Sequence, residues 1–169
     1  MAAGGSGETI WDIKKHIGYV SSSLHLDYRV STNVRNVILS GYLTRSAFIR
    51  RSPTSSISWC SNGWIFSASI RRTADAPFHS LSWGQQRLAL IVRALVKHPT
   101  LLILDEPLQG LDPLNRQLVR RFVDVLIGEG ATQLLFVSHH AEDAPDCITH
   151  RLAFVPSGDG YTYQLGPVA

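Results

Sequence analysis

LLILDEPLQGLDP, residues 101–113, is the stretch that decides the fold of this 169-residue chain. A continuous apolar run leads into two adjacent carboxylates, Asp105 and Glu106, and Asp112-Pro113 follows shortly after. Such a run is typical of a strand buried on both faces of a parallel sheet, and Asp followed by Pro is typical of a helix N-cap and first turn. The stretch therefore predicts a central strand followed by a crossover helix.

The segments around this stretch extend it to an α/β unit. HIGYV at residues 16–20 and QLLFV at 133–137 predict two further strands, the second one also buried. S-W-G-Q at residues 82–85 has the form of a capping box, and the helix that it opens is predicted to end at His98-Pro99. Strand, helix and strand in this order predict a βαβ unit with a right-handed connection.

The chain after Asp112 predicts one helix and one hairpin. The helix should be stopped by Gly128 and Gly130, and its predicted inward positions are Leu114, Leu118, Phe122, Val125 and Leu126. RLAFV and YTYQL flank a Pro-Ser-Gly-Asp-Gly turn at residues 156–160, which predicts a C-terminal β-hairpin.

The basic residues are concentrated in one segment. Five arginines lie between residues 43 and 72, and no acidic residue occurs between Asp27 and Asp75. The formal charge of +3 becomes −2 when these five arginines are left out, so the remainder lacks the basic surface of a nucleic-acid-binding protein. We expect no nucleic-acid partner.

Cysteine spacing and hydropathy exclude further classes. Cys60 and Cys147 show neither C-x-x-C nor Cys/His spacing, so neither a disulfide framework nor a zinc site is indicated. The sequence has no apolar run of about 18 residues and no signal peptide at its start. We expect a cytoplasmic location, with peripheral attachment at the inner face of the cell membrane as the alternative.

The carboxylates after the predicted central strand are candidates for metal binding and catalysis, because parallel sheets bind ligands at the carboxyl ends of their strands. Asp105 is suited to hold Mg²⁺, which prefers oxygen ligands and uses few from protein. Glu106 could orient or deprotonate an attacking water. Taken alone, Asp-Glu-Pro is more often only a turn that ends a strand.

Two further positions could contact phosphate. His139 follows the next predicted strand and should lie near the carboxylates, although a lone histidine there is more often a solvated or capping residue and His140 is adjacent. Ser82 and the free backbone N–H groups of the helix that it opens form an anion site. Alone, they are equally well explained as an ordinary helix cap.

LSWGQQR, LLILDEP, GLD and VSH occur in this order and at short spacings. Together they resemble the signature motif, Walker B motif, D-loop and switch region of ATP-binding cassette (ABC) ATPases. The resemblance implies part of a P-loop NTPase fold, with ATP and Mg²⁺ as cofactors. It further implies that Asp105 serves Mg²⁺, that Glu106 is the catalytic base and that His139 is the phosphate sensor.

The same resemblance implies a nucleotide site shared between two domains. Ser82, Gly84 and Gln85 would contact ATP held by a second ABC ATPase domain in a head-to-tail dimer, and Asp112 would make the D-loop contact across it. Residues 10–42 and 71–155 resemble the second ATPase domain of ModF-type ATP-binding proteins, a type linked by name to molybdenum transport and to photorepair. A membrane permease is a further candidate partner.

Three departures from the family pattern limit these implications. The P-loop G-x-x-x-x-G-K-[ST] is absent, because Lys14, Lys15 and Lys97 are the only lysines and none has that context. The Q-loop glutamine falls at Ser22, and Trp83 replaces the first glycine of the usual LSGGQ, where we expect it to crowd the turn. We therefore expect a domain truncated before the P-loop, which alone hydrolyses ATP negligibly.

The predicted organisation is a flexible leader, residues 1–10, followed by the C-terminal part of one ABC ATPase domain, residues 11–169. Residues 43–80 correspond to the helical subdomain. Within them, residues 43–70 are rich in Ser, Arg and Trp and show no apolar period. We interpret residues 43–70 as read in a shifted frame, so that the subdomain is disrupted; re-reading the coding DNA one base over tests this.

Two functional hypotheses remain open. The first is an ABC-type ATPase fragment that supplies one half of a composite nucleotide site. The second is a non-hydrolytic interaction module that donates its signature motif to a partner cassette. A DNA-repair ATPase with a signature helix is less suitable, because the long coiled-coil segments of that class do not occur in this sequence.

Overall fold

The computed structural model describes residues 13–14, 16–42, 72–128 and 130–168, and its described strands form two sheets. Three parallel strands lie in the order β1-β2-β3, and the last two strands form an antiparallel hairpin. The strands are β1 (Ile17–Ser21), β2 (Leu101–Asp105), β3 (Gln133–Val137), β4 (His150–Ser157) and β5 (Gly160–Pro167). LLILD is thus the central strand of the parallel sheet, and the C-terminal hairpin is confirmed.

Helices connect the parallel strands. They are α1 (Ser22–Asp27), α2 (Val34–Leu39), α3 (Trp83–Leu95) and α4 (Pro113–Gly128), and short 3₁₀ turns occur at Ser40–Tyr42, Phe78–Ser80 and Ala141–Asp143. Helix α4 joins β2 to β3, which pair in parallel, so the predicted strand-helix-strand unit is confirmed.

Helix α3 begins as its sequence predicts. The Ser82 hydroxyl accepts a hydrogen bond from Gln85 N at 3.3 Å, and the Gln85 side chain accepts one from Ser82 N at 3.0 Å. The predicted end at His98-Pro99 is too late, because the helix stops at Leu95 and His98 adopts φ 50°. Pro99 disfavours helix only at the residue before it, so it does not fix where the preceding turn ends.

The hydrophobic core lies on one face of the parallel sheet. It contains sheet residues that are at most 1% exposed, namely Val20, Leu102 and Leu104, together with much of α3. Helix α3 approaches β1 so closely that a Cβ at Gly18 would lie 3.0 Å from the Ala94 carbonyl oxygen. An alanine at position 18 would require the strand or its neighbours to shift by a few tenths of an ångström.

Two predictions about burial are wrong in part. On α4, Leu118, Phe122 and Leu126 pack against the core as predicted, but Leu114 is 76% and Val125 is 46% exposed, and Val119 and Val123, which were not predicted to face inward, are fully buried. Strand β3 is not buried on both faces, because its alternate residues are exposed. In both cases the buried face is set by the elements that pack against it.

Some predictions lie wholly or partly outside the described residues. The leader at residues 1–10 and the shifted frame at residues 43–70 fall within gaps in the description, as does most of the subdomain region 43–80. Within the described part, no helix is both long and apolar enough to cross a bilayer.

Candidate functional site

The carboxyl ends of the three parallel strands bring the predicted catalytic residues to one edge of the sheet. Ser21, Asp105 and Val137 are register partners at that edge. Asp105 is half-buried, and its Oδ2 accepts a hydrogen bond from the Tyr19 hydroxyl at 3.3 Å. The carboxylate of the central strand is thus oriented by a residue of the neighbouring strand.

Glu106 leaves the sheet in an unusual backbone conformation. Its φ of 48° lies in the left-handed region that non-glycine residues seldom adopt. The turn is held by Glu106 N, which donates to the Val137 carbonyl at 3.0 Å, and by Gln109 N, which donates to the Glu106 carbonyl at 3.2 Å. Glu106 is therefore fixed between the ends of β2 and β3.

His139 lies on the same edge as Glu106. Its Nε2 is 3.4 Å from Glu106 Oε1, the distance of an ion pair when the imidazole is protonated. The geometry is not that of a hydrogen bond, and Oε1 has no hydrogen-bond partner among the described residues. The glutamate side chain is 18% exposed and the histidine side chain 88%. The carboxylate is sheltered and the imidazole is accessible, and a phosphate at this edge could contact both.

The adjacent histidine has a different neighbour. His140 Nδ1 lies 3.7 Å from Glu142 Oε1. The structure thus distinguishes the two histidines that the sequence left ambiguous, and the one that faces the carboxylates is His139.

A buried acid that no sequence pattern indicated supports this segment. Asp143 is 5% exposed; it accepts hydrogen bonds from Arg116 Nη1 at 3.2 Å and from the Ser138 hydroxyl at 3.4 Å. Ser138 in turn accepts one from His140 N at 3.1 Å. The segment that carries His139 is therefore held to α4 by an ion pair between residues far apart in sequence.

The signature residues form a second cluster at the start of α3. Ser82 and Gln85 are occupied in their reciprocal cap, and Gly84 is buried against α4, where a Cβ would lie 2.4 Å from Asn115 Cγ. Asn115 N donates to Asp112 Oδ1 at 3.0 Å, and this bond is the main cause of the lowered pKa of Asp112. The predicted signature and D-loop residues are thus adjacent through Asn115.

The two clusters are carried by different elements. None of the hydrogen bonds and ion pairs of the described residues joins Ser82 or Gly84 to Asp105, Glu106 or His139.

The position predicted for the Q-loop glutamine lies at the end of β1. Ser22 is the first residue of α1, and the preceding Ser21 caps this helix by accepting from Leu24 N at 3.0 Å. Ser21 is buried and its hydroxyl also contacts the Ser23 hydroxyl at 3.0 Å.

The described residues at this edge of the sheet supply one suitable ligand for a magnesium ion. The described residues contain no group of three or more potential metal ligands, and Asp105 is the suitable carboxylate. Mg²⁺ is commonly held by one or two carboxylates with substrate phosphates and water, so Asp105 is a sufficient protein ligand only when a nucleotide completes the coordination. When bound, the ion would neutralise charge on those phosphates.

Burial and a nearby acid make Cys147 unreactive. Desolvation and Asp124 raise the pKa of its thiol to about 12. Cys147 therefore behaves as an ordinary structural thiol, as its sequence context predicts.

The sequence is similar to those of known ATP-binding proteins. A family model described as ABC transporter matches residues 3–109. The ABC transporter ATP-binding protein ModF of Escherichia coli is 77% identical over 162 residues, which are 95% of this chain and 33% of that protein. The uncharacterized ABC transporter ATP-binding protein YlmA of Bacillus subtilis is 33% identical over 78% of this chain and 50% of its own length. The chain therefore spans a third to a half of these relatives.

Solved structures agree with the fold. The cbiO1 protein of Clostridium perfringens, part of the ABC transporter complex cbiONQ, superposes with a TM-score of 0.58 at 25% identity, covering 75% of this chain and 48% of that one. An inward-facing putative metal-chelate type ABC transporter superposes with a TM-score of 0.60 at 18% identity, covering 91% of this chain and 73% of that one. At 18% identity, this second match supports the fold alone.

Proposed function

Because this chain belongs to the ABC transporter family, we propose that it forms part of an ATP-binding and ATP-hydrolysing domain, to which it contributes two separate sets of residues. One set is Asp105, Glu106 and His139 at the carboxyl edge of the sheet. The other is Ser82, Gly84 and Gln85 at the start of α3. ATP and Mg²⁺ are the proposed cofactors.

The observation that supports this proposal most directly is the contact between Glu106 and His139. Their 3.4 Å approach joins a sheltered carboxylate to an exposed imidazole, beside the carboxylate of Asp105 at the same edge. In this role Glu106 accepts a proton from the attacking water, and His139 contacts the terminal phosphate. General-base catalysis of this kind contributes roughly 10²–10⁴-fold to rate.

The start of α3 is the part of the chain that we propose to contact a second ABC ATPase domain in a head-to-tail dimer. The N-terminus of α3 presents the Ser82 hydroxyl and free backbone N–H groups, a combination that favours an anion. In the proposed dimer this cluster contacts nucleotide held by the partner domain. Asp112, which is exposed at the start of α4, makes the accompanying D-loop contact.

A second candidate function is a non-hydrolytic module that only donates its signature motif to a partner cassette. One observation favours it: the sequence contains no G-x-x-x-x-G-K-[ST] motif, whereas the capping box of Ser82 and Gln85 fits both candidate functions. Such a module would bind beside a nucleotide without needing a phosphate cradle of its own.

The finer biological role rests on resemblance alone. We propose a role related to molybdenum transport because of the similarity to ModF, and no residue described above selects a transported substrate. A membrane permease is a proposed partner, by analogy with the transporter complex that contains cbiO1. A cytoplasmic location, with peripheral attachment to the inner face of the membrane, goes with that proposal.

The first test measures Mg-ATP turnover by the 169-residue chain. We expect no turnover above that of Glu106→Gln, because phosphoryl transfer depends on positioning and charge neutralisation and a P-loop supplies both with backbone N–H groups and a lysine. Turnover that disappears in Glu106→Gln would require a phosphate site elsewhere in the chain.

The second test adds a P-loop to the chain. A P-loop-containing segment of an ABC ATPase is fused to residue 11, and Mg-ATP turnover is measured for the fusion protein and two variants. We expect Glu106→Gln to lower turnover at least about 100-fold. Glu142→Gln is the matched control, because the ion pair described for Glu142 is with His140 and not with His139, and it should leave turnover unchanged. Equal turnover in all three proteins would refute the hydrolytic role.

The third test separates the two candidate functions. The chain is added to an intact ABC ATPase domain, and turnover by that domain is measured with and without a Ser82→Arg change in the chain. Stimulation that Ser82→Arg abolishes, combined with an inactive fusion protein, would favour the donor module over the enzyme.

A further inference from the structure

Trp83 is the residue by which the signature segment departs from its family, and its side chain has a defined position. The indole stacks on the His25 ring with a centroid distance of 3.9 Å and an interplanar angle of 25°. Trp83 is 40% exposed, whereas His25 is only 2% exposed. The tryptophan does not merely crowd the turn, because it covers a buried histidine of α1, the short helix that follows β1.

His25 is held to α3 by a second contact. Gln86 Nε2 donates to the Leu81 carbonyl at 3.0 Å, which leaves Gln86 Oε1 to accept from His25 Nε2, also at 3.0 Å. The proton is therefore on Nε2, and the ring orientation is fixed by one stack and one hydrogen bond. Both come from the first turn of α3.

Trp83 also lies near the loop between β2 and α4. Gly110 of that loop has φ 75°, and a Cβ built there would lie 3.6 Å from Trp83 Nε1, the separation of an ordinary contact. One residue further along α3, Gly84 packs against Asn115. The signature segment thus lies against α1 and beside the loop that leads from Glu106 to Asp112.

We infer that Trp83 is a positioning residue that holds the signature segment, Ser82–Gln85, against α1 beside the loop before α4. The inference rests on the proposed function in one respect: Ser82 is the group proposed to contact nucleotide, so its orientation matters. A glycine at position 83 could not stack on His25, so in this chain the turn that Ser82 caps is held to α1 by a side chain that the usual motif lacks.

The positioning role of Trp83 is tested by amide hydrogen exchange on the 169-residue chain without nucleotide. In Trp83→Ala we expect residues 24–27 and 84–86 to exchange roughly two- to tenfold faster, the range set by the loss of one aromatic pair. Residues 88–95 should keep their rates. Alanine is a good helix former, so faster exchange would not reflect poorer helix propensity.

Two further variants and a spectroscopic signature make the test specific. Trp83→Phe should restore slow exchange, because phenylalanine can stack on His25. His25→Asn should speed amide exchange of residues 84–86 as Trp83→Ala does. The His25 ring protons, shifted upfield by the indole, should move downfield in Trp83→Ala. A uniform rise in exchange rates that includes residues 88–95 would indicate a general loss of stability. Unchanged exchange rates together with unchanged chemical shifts of the His25 ring protons would show that Trp83 does not position the signature segment.

The functional consequence is measured separately. If the fusion protein shows Glu106-dependent turnover, Trp83→Ala should lower it and Trp83→Phe should recover it. If the fusion protein shows no turnover, the proposed hydrolytic function fails, while the exchange rates still decide whether Trp83 positions the signature segment.

Discussion

The two faces of the parallel sheet are built from similar residues and have opposite environments. On the covered face, Val20, Leu102 and Leu104 are at most 1% exposed. On the open face, Tyr19, Leu135 and Val137 are 47%, 50% and 41% exposed. Parallel sheets usually have helices on both faces, but among the described residues the buried core that includes α3 and α4 lies on one of them. Apolar character alone therefore did not determine burial here.

The C-terminal hairpin also has an apolar face that is exposed. Leu152, Phe154 and Pro156 pair with Leu165, Tyr163 and Tyr161 across the strands, and alternate positions share a face. Phe154, Tyr161, Tyr163 and Leu165 are all more than 70% exposed. This surface and the open face of the sheet are apolar regions that the described residues leave uncovered, and exposed patches of this kind favour association.

The largest effect should come from a cavity on the covered face. Leu104→Ala should lower the free energy of unfolding by about 2–5 kcal/mol, because a fully buried leucine leaves a cavity. The matched change on the open face, Leu135→Ala, should cost less than about 1 kcal/mol. Urea unfolding of the two variants measures both. Equal losses would mean that the open face is covered in solution.

An intermediate effect should come from a charge in the core. Arg87 on α3 is 0% exposed, and none of its side-chain nitrogens has a hydrogen-bond partner among the described residues. Burial lowers its pKa to about 10. Arg87→Met should therefore raise the free energy of unfolding by roughly 1–3 kcal/mol, since it removes an unsatisfied charged group. A loss of stability in urea unfolding would indicate that Arg87 has a partner.

A smaller effect should come from protonation of His25 in the same buried region. Burial lowers its pKa; the hydrogen bond to Gln86 partly opposes this, and the charge of Arg87 lowers the pKa further. As pH falls below the ordinary value of about 6.5, the unfolded chain binds a proton that the folded chain resists, so stability declines until the lowered pKa is reached. Urea unfolding between pH 7 and pH 5 should show a shallower decline in His25→Gln. Parallel curves would contradict this role.

The smallest effect on stability, within about 0.5 kcal/mol, should come from charging the open face. Leu135→Lys should nevertheless reduce self-association of the chain, because it interrupts an exposed apolar surface. Sedimentation velocity at several concentrations measures the change, with the exposed α4 change Leu114→Lys as control. If both variants associate like the unmodified chain, the open face does not drive association.

Local signals account for the features that sequence reasoning predicted well. The capping box of Ser82 and Gln85, the Asp112 cap and the apolar run before Asp105 each act within a few residues, and all three lie where the sequence indicates. The meeting of Glu106 and His139 was also predictable, because adjacent parallel strands end at one edge. Trp83 was identified only as a departure from a motif.

By itself the sequence determined the three parallel strands with LLILD at their centre, the C-terminal hairpin, the caps of α3 and α4 and the family, since these depend on short-range chemistry and on chain order. It did not indicate α1. Only the tertiary structure decided which apolar residues of α4 and β3 are buried, that His139 rather than His140 faces Glu106, and that Trp83 lies on His25. It also revealed the ion pair of Arg116 with Asp143. These features depend on contacts between residues far apart in the chain, and neither periodicity nor local propensity specifies which surfaces meet.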